Sequence, residues 1–121
     1  MNAGYFLTTG YYNVALGRDS FKVATTASEN ICLGFSAGKQ ITTAVNNTIL
    51  GADAANTITT GGNNLVLGHN AQPSSNTVDN EITLGDANIT KFRIPGINVV
   101  LKDNGGTPTN GHVLTVDANG E

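Results

Sequence analysis

The residue types that most often perform chemistry are few in this chain, and they are scattered along it. The two histidines, His69 and His112, have no Cys, His, Asp or Glu neighbours at the spacing of a metal site. The single cysteine, Cys32, occupies a position that Ala, Ile and Val fill in the other repeats, so we expect a small buried apolar residue. We therefore expect no enzyme activity, and no catalytic residue, metal or cofactor.

The carboxylates and the glycine-rich stretches are typical of turns. Asp19 and Asp53 each come two residues after a glycine, where Ser36 and Asn70 also occur. Because these residues share turn-forming ability rather than charge, paired-carboxylate catalysis is not predicted. The stretch Gly61-Gly62-Asn63-Asn64 is interpreted as a turn and not as a phosphate loop, since no helix or lysine follows it.

Threonines such as Thr8, Thr42 and Thr59 recur in register and suggest two alternatives. Regular threonine rows on a flat solenoid face occur in ice-binding proteins. Threonine also stabilises stacked strands, as a β-branched residue on a pleated surface. We favour the structural interpretation because only part of the column is threonine.

The composition excludes several classes of partner. Six basic residues are scattered through a chain of net charge -3, so nucleic-acid binding is not predicted. No apolar run approaches the length of a membrane span, and the N-terminus lacks the order of a signal peptide, so we expect no membrane insertion. Abundant Asn and Thr, with 15 glycines and only 12% charged residues, indicate an all-β protein rich in turns.

A repeat of 17 residues organises the sequence. Five Leu-Gly dipeptides each lie 17 residues from the next. Their leucines, which we assign to the core, are Leu16, Leu33, Leu50, Leu67 and Leu84. The glycines, which we assign to repeat-defining turns, are Gly17, Gly34, Gly51, Gly68 and Gly85. The same turns include an asparagine four residues before the glycine, namely Asn13, Asn30, Asn47 and Asn64. In the fifth repeat, Glu81 replaces this asparagine.

Each unit is predicted to contain two short strands with turns between them. One is the Asn-x-x-Leu segment, and the other is an apolar-Thr-Thr segment such as Ile58-Thr59-Thr60. Seventeen residues suit one coil of a β-solenoid, in which each coil buries its apolar face by stacking on its neighbours. The predicted fold is therefore all-β, with a parallel β-solenoid of 17-residue coils over residues 1–90 and coils about 4.8 Å apart.

The Asn-x-x-Leu strand is apolar on both of its faces. The position opposite the leucine face holds Ala15, Cys32, Ile49 and Val66. A strand apolar on both faces is expected to be buried on both, so we assign these four residues to a chain–chain interface. We expect a homotrimer, with inward asparagines satisfying the turn backbones. On this orientation, Val66→Asp should block assembly more than Thr60→Asp.

The repeat stops near residue 85, and another module is predicted beyond it. Residues 91–121 are expected to form a small β-rich connector or tip, with a type II turn at Pro95-Gly96. Both ends of the chain cut through a motif, so we expect an ordered piece of a longer fibre polypeptide.

Two stretches resemble known fibre proteins. Units of the form Asn47-Thr48-Ile49-Leu50-Gly51-x-x-Ala54 resemble the head repeats of trimeric autotransporter adhesins and the repeats of tailed-phage fibres. Ala37, Gly38 and Ile41-Thr42-Thr43 fit the phage version closely. Residues 111–120 are similar to a Gly-x-Val-Leu-Thr-x-Asp-x-x-Gly segment frequent in phage tail fibres, especially those of marine phages and cyanophages. The two resemblances together cover nearly the whole chain.

The phage resemblance implies a structural segment of a virion tail or head fibre that forms a homotrimer and contributes to host attachment. The implied partners are the chain itself, other virion tail or capsid proteins, and a host cell-surface glycan or protein. The alternative is the head of a bacterial trimeric adhesin at the cell surface. Loops around Arg18-Asp19 and Gln72-Pro73-Ser74-Ser75 are candidates for receptor contact, since insertions in solenoids often present binding surfaces.

Overall fold

The computed structural model of the protein describes residues 3–96, and these contain strands but no helix. Five short strands pair in parallel, each with the next along the chain, to form one sheet. The strands are β1 (Val14–Leu16), β2 (Ile31–Leu33), β3 (Thr48–Leu50), β4 (Leu65–Leu67) and β5 (Ile82–Leu84). The predicted all-β fold, a parallel solenoid of 17-residue coils, is confirmed.

Each strand residue lies beside the residue 17 positions later, as Val14 does beside Ile31. The Val14 amide donates a hydrogen bond to the Asn30 carbonyl at 2.8 Å, and the Gly34 amide donates to the Leu16 carbonyl at 2.8 Å. This alternation of partners is the evenly spaced ladder of a parallel sheet. Seventeen residues therefore close one full circuit of the chain and bring every coil into the same register as the next.

A glycine follows every strand, and after the first four strands the next coil leaves little or no space for a side chain. Gly17, Gly34 and Gly51 have φ of 126°, 136° and 140°, a backbone conformation that other residues rarely adopt. A Cβ atom on any of the three would collide with the carbonyl group of the glycine one coil further on. At Gly68 the added atom would lie 3.0 Å from the Cα of Gly85. These two constraints together explain the Leu-Gly register.

A second constraint on the turn falls two residues after the glycine. That position has left-handed backbone, with φ between 55° and 59°, at Asp19, Ser36, Asp53 and Asn70. Asn and Asp tolerate this conformation because their short polar side chains hydrogen-bond locally. Turn formation, rather than charge, thus accounts for the recurrence of the two aspartates.

The prediction of a second strand in each coil is wrong for the part of the chain that the structure describes. On that side, Thr25 N donates to Thr42 O at 3.0 Å and Thr42 N donates to Thr59 O at 2.9 Å, while an isolated bridge joins Ser28 and Val45. The Thr25 and Thr42 hydroxyls donate to the same carbonyl oxygens at 3.3 and 3.1 Å. These hydroxyls hold adjacent coils together, which supports the structural interpretation of the threonine column over ice binding.

The interior of the solenoid is narrow and is filled largely by alanine, with a few larger side chains between the alanine columns. Small side chains let opposite walls of a coil approach closely, and stacking then removes them from water. The buried apolar residues are Phe21, Ala24, Ala27, Cys32, Ala37, Ile41, Ala44, Ile49, Ala54, Ala55, Ile58, Val66 and Ala71.

The two faces of each strand are the reverse of the predicted assignment. Cys32, Ile49 and Val66 are fully buried inside the coil and Ala15 is half-buried against them, so these four residues are not a chain–chain interface. Asn47 lies inside the coil, and Ile49 shares its face because alternate strand residues point the same way. The leucines assigned to the core occupy the outward face instead; they are Leu16, Leu33, Leu50, Leu67 and Leu84.

The chain divides into two compact units, Met1–Lys91 and Phe92–Glu121. Residues 92–96 of the second unit are described, and Gly96 has φ of 74°, as the predicted type II turn at Pro95-Gly96 requires. The strands predicted for the C-terminal module, together with His112, lie outside the described residues.

Candidate functional site

A ladder of buried asparagine side chains connects the coils from inside. Asn30 Oδ1 accepts hydrogen bonds from both the amide and the Nδ2 of Asn47, each at 3.0 Å. Asn47 Nδ2 also donates to the Gly61 carbonyl at 3.0 Å. Asn64 repeats this arrangement one coil later, again at 3.0 Å to Asn47 Oδ1. Each buried side-chain amide is satisfied by the coils before and after it, so the ladder stabilises the stack only while the 17-residue register is kept.

The asparagine ladder ends at Glu81. Its amide still donates to Asn64 Oδ1 at 2.9 Å, but its carboxylate turns away from the ladder. There it accepts hydrogen bonds from the Ser74 amide at 2.8 Å, from the Ser74 hydroxyl, and from the Thr83 hydroxyl at 2.9 Å. Together these hydrogen bonds lower the pKa of Glu81 below its ordinary value of 4.5, and the bond from the Ser74 hydroxyl has the largest effect.

The outward side of the sheet is a partly exposed apolar surface, which we call the leucine face. Leu16 is 69% exposed, Leu50 is 50% exposed and Ile82 is 69% exposed. The ten residues of the leucine face are apolar apart from Thr48, and none carries a charge. They are the first and third residues of each strand, Val14, Leu16, Ile31, Leu33, Thr48, Leu50, Leu65, Leu67, Ile82 and Leu84.

Charged side chains collect beside the leucine face rather than on it. The Arg18 guanidinium lies 4.7 Å from the centre of the Phe35 ring, a cation–π contact at the turn that follows β1. Asp19 lies 3.1 Å from Lys22 Nζ, and the hydrogen bond from Lys22 lowers the pKa of that carboxyl. The predicted receptor loop at Arg18-Asp19 is therefore an ion-paired turn bordering the apolar surface.

The second predicted receptor loop lies across the fourth and fifth coils. Its serines, Ser74 and Ser75, are exposed, whereas Pro73 is buried. Gln72 Nε2 donates to the Asp53 carbonyl at 2.6 Å and so ties the start of the loop to the preceding coil. The serine end of the loop is therefore its most accessible part for contact with another molecule.

An open groove of about 400 Å³ borders the leucine face along its N-terminal edge. One wall consists of Asn46, Asn63 and Asn80, which stand 17 residues apart and all have left-handed backbone, with φ of 61°, 57° and 62°. The other wall consists of the first residues of three strands, Thr48, Leu65 and Ile82, with Asn64 between the walls. We call this the asparagine groove; among the residues that the structure describes, no charged side chain lines it.

Within residues 3–96, the cysteine, the histidine and the carboxylates lie apart from one another. Cys32 is fully buried, and burial raises the pKa of its thiol to about 12, so the nucleophilic thiolate is suppressed. Among residues 3–96, no three His, Cys, Asp or Glu side chains are grouped to hold a metal ion. His69 is exposed. Over the same residues, no helix is long and apolar enough to cross a membrane.

Comparison with known proteins found no matching family model, curated protein or solved structure. The candidate site therefore rests on its own geometry, which joins a charge-free apolar surface to a charge-free polar groove.

Neither surface was identified from the sequence, although the signal for both was present. Once Asn47 is taken to point inward, Thr48 and Leu50 must point outward by alternation. The groove follows from the same rule, because the asparagines at positions 46, 63 and 80 precede the inward position and lie beside the outward strand residues. Apolar residues on both faces of the strand concealed this alternation.

Proposed function

We propose that the protein is a structural segment of a tailed-phage tail or head fibre, in which parallel chains assemble through their leucine faces, as a homotrimer, and contribute to virion assembly and host attachment. The single observation that carries the proposal is the leucine face. A contiguous apolar surface of this kind on a soluble protein marks an interaction site.

The energy available from the leucine face matches the requirement of self-association. Complete burial of a Leu or Ile side chain contributes about 1.5–3 kcal/mol, so a half-exposed one adds about 1 kcal/mol on docking. Six side chains of the leucine face are 40% exposed or more, and they give a sum on the order of the 4–15 kcal/mol that association costs. Contact is therefore needed along the stack from β1 to β5, which favours a partner with the same coil spacing, namely another copy of the chain.

The repeat also suits a fibre shaft, because each added coil lengthens the rod and extends the apolar surface by one row. Lateral contact then grows in proportion to length, as expected of a quasi-one-dimensional repeat protein. The chemistry of such a segment is assembly: apolar contacts between chains and asparagine hydrogen bonds within each chain.

The test is the solution mass of the purified chain by light scattering, with Leu50→Asp as the interface variant and Thr60→Asp as its control. Both positions are exposed, so both variants keep the coil interior intact. We expect wild type and Thr60→Asp to be trimeric, and Leu50→Asp to be monomeric with an unchanged circular dichroism spectrum. A monomeric wild type, or an assembled Leu50→Asp, would refute assembly through the leucine face.

Val66→Asp is not a suitable interface variant, because Val66 is fully buried within its coil. An ionised carboxylate there would have no partner, and the expected result is loss of folding. The earlier expectation that Val66→Asp blocks assembly depended on the reversed strand orientation.

Electron microscopy with antibodies against the chain tests where the protein acts. Labelling of virion tails or head fibres is expected. Labelling of the bacterial envelope would instead favour the alternative, the head of a trimeric surface adhesin.

A further inference from the structure

We propose that the two borders of the leucine face bind each other between neighbouring copies of the chain, with Arg18 of one copy paired to Glu29 of the next. This inference rests on the proposed assembly through the leucine face, and it adds the direction and the alignment in which the chains meet. The leucine face itself carries no charge, so apolar contact alone leaves both undetermined.

Two columns of residues flank the leucine face, one at each end of the strands. The column two residues before each strand, which we call the Tyr12 border, consists of Tyr12, Glu29, Asn46, Asn63 and Asn80. The column two residues after each strand, which we call the Arg18 border, consists of Arg18, Phe35, Ala52, His69 and Asp86. The charges on the two borders differ in sign and in position along the stack.

The symmetry of a trimer brings opposite borders together. In a closed ring of three identical chains, each contact joins two different patches, one from each neighbour. The strands run across the stack of coils, so the strands of one copy end where the strands of the next copy begin. Rotation about an axis parallel to the stack leaves every coil at its own height. The Arg18 border of each copy therefore faces the Tyr12 border of the next, coil against coil.

The charge of Arg18 lies at the height of Glu29. The Arg18 guanidinium is 4.7 Å from the centre of the Phe35 ring, which belongs to the next coil. Phe35 and Glu29 flank the same strand, β2, at its two ends. The cation–π contact thus carries the positive charge about one coil spacing, roughly 4.8 Å, along the stack. At that height the residue that the neighbouring copy presents is Glu29.

Both side chains are available for this contact. The Arg18 side chain is 65% exposed, and its Nε lies 3.7 Å from Asp19 Oδ2, which leaves the terminal guanidinium nitrogens for a second carboxylate. Glu29 is exposed, and within residues 3–96 it takes part in no salt bridge. Because a pair of Arg and carboxylate is directional, this contact would fix the alignment that the leucine face leaves undetermined.

The ends of the two borders are also compatible. The Tyr12 ring is 83% exposed on a left-handed backbone that is unfavourable for a bulky residue, and at the first coil it meets the alkyl part of Arg18. At the fifth coil, Asn80 Oδ1 accepts a hydrogen bond from Asn63 Nδ2 at 2.7 Å, so the amide of Asn80 can donate to Asp86 of the neighbour. Like charges do not meet at any coil along these two borders.

Antiparallel chains would give a different set of pairs. The first coil of one copy would then meet the fifth coil of the other, with Arg18 opposite Asp86 and Glu29 opposite Asn63. Asp86 already accepts two hydrogen bonds from Asn88, at 2.9 and 2.8 Å, and Glu29 would gain no cation. The charges therefore favour parallel chains in the same register.

The experiment measures the mass of the full chain by light scattering over a dilution series, for Arg18→Glu, Glu29→Arg and the double variant. Each single reversal places like charges at every contact, so the concentration at which trimers dissociate should rise roughly tenfold or more. The double variant restores opposite charges in exchanged order and should assemble like wild type. Thr60→Arg, at an exposed position away from both borders, is the control for added charge and should leave assembly unchanged.

Mixing the two single variants shows whether the pair acts between copies. In a mixed trimer, two of the three contacts join opposite charges. The mixture should therefore form trimers in part, at concentrations where either variant alone is monomeric. A mixture that stays monomeric while the double variant assembles would place the effect within one chain and overturn the proposal.

The remaining outcomes separate this proposal from the one on which it rests. A trimeric wild type whose single reversals assemble equally well refutes the pairing of the borders alone. A monomeric wild type refutes assembly through the leucine face and the pairing with it. Rescue of Arg18→Glu by Asp86→Arg, rather than by Glu29→Arg, would show antiparallel chains and overturn the proposed alignment.

Discussion

Gly51 lies where two coils meet and where two separate constraints exclude a side chain. Its φ of 140° is disfavoured for other residues, and a Cβ atom would collide with the Gly68 carbonyl. Gly4 is subject to the backbone constraint alone, because it has a positive φ of 57° but no atom within 4 Å of an added Cβ. The pair therefore separates backbone preference from inter-coil packing.

We predict that Gly51→Ala lowers the free energy of unfolding by about 3 kcal/mol or more, since unfavourable backbone geometry and a steric collision add. Gly4→Ala should cost about 1 kcal/mol, from the left-handed conformation alone. Urea denaturation of both variants measures the difference. Equal costs would mean that the coils can separate at Gly51 without penalty, contrary to the observed packing.

Strand β5 differs from the strands before it because the residue that precedes it is Glu81 and not an asparagine of the ladder. Glu81 keeps the main-chain link to Asn64 but hydrogen-bonds Ser74 and Thr83 through its carboxylate. The carboxylate thereby fastens the exposed 74–75 loop to the fifth coil. The contact of Glu81 with the preceding coil thus still depends on a neutral amide, whereas the position of the 74–75 loop depends on an ionised group.

The hydrogen bonds of the Glu81 carboxylate predict a pH dependence that originates in the fifth coil. The pKa of Glu81 is lowered in the folded state, so its contribution is present above the ordinary value of 4.5 and is lost as pH falls through the lower folded-state pKa. We expect Glu81→Gln to have a lower Tm than wild type at pH 7, and the gap to close towards pH 3. Glu29→Gln, at an exposed position, is the control. A gap that stays constant with pH would contradict this role for the carboxylate.

The sequence was sufficient for the coil length, the parallel stacking and the inward asparagines, because each follows from a strict 17-residue register. It was not sufficient for the strand faces. Leu50 and Ile49 are both large and apolar, so hydrophobicity alone does not say which one is inside. The leucine face and the groove depend on that choice, and the buried position of Asn47 resolves it. The threonine segment was predicted to be a strand because its residues are β-branched. In the structure these residues make single inter-coil hydrogen bonds without forming a strand.

At the scale of the whole molecule, the described part of the first unit behaves as a one-dimensional stack. Inter-coil hydrogen bonds repeat every 17 residues along the chain on the strand side, on the threonine side and in the asparagine ladder. The free energy of unfolding of such a stack is approximately the sum of the free energies of its coils and of the contacts between neighbouring coils. Removal of one coil should therefore shorten the rod without changing the remaining contacts.

We predict that deletion of residues 48–64, a full 17, gives a folded protein with a lower Tm and cooperative unfolding. The cut joins Asn47 to Leu65 and so keeps Val66 two residues after an inward asparagine. Deletion of residues 49–64, which is one residue shorter, places an extra residue at the junction and turns Val66 outward, because one step in a strand exchanges its faces. That variant should lose the β-sheet signal in circular dichroism. Similar melting curves for the two deletions would show that the 17-residue register does not hold the stack together.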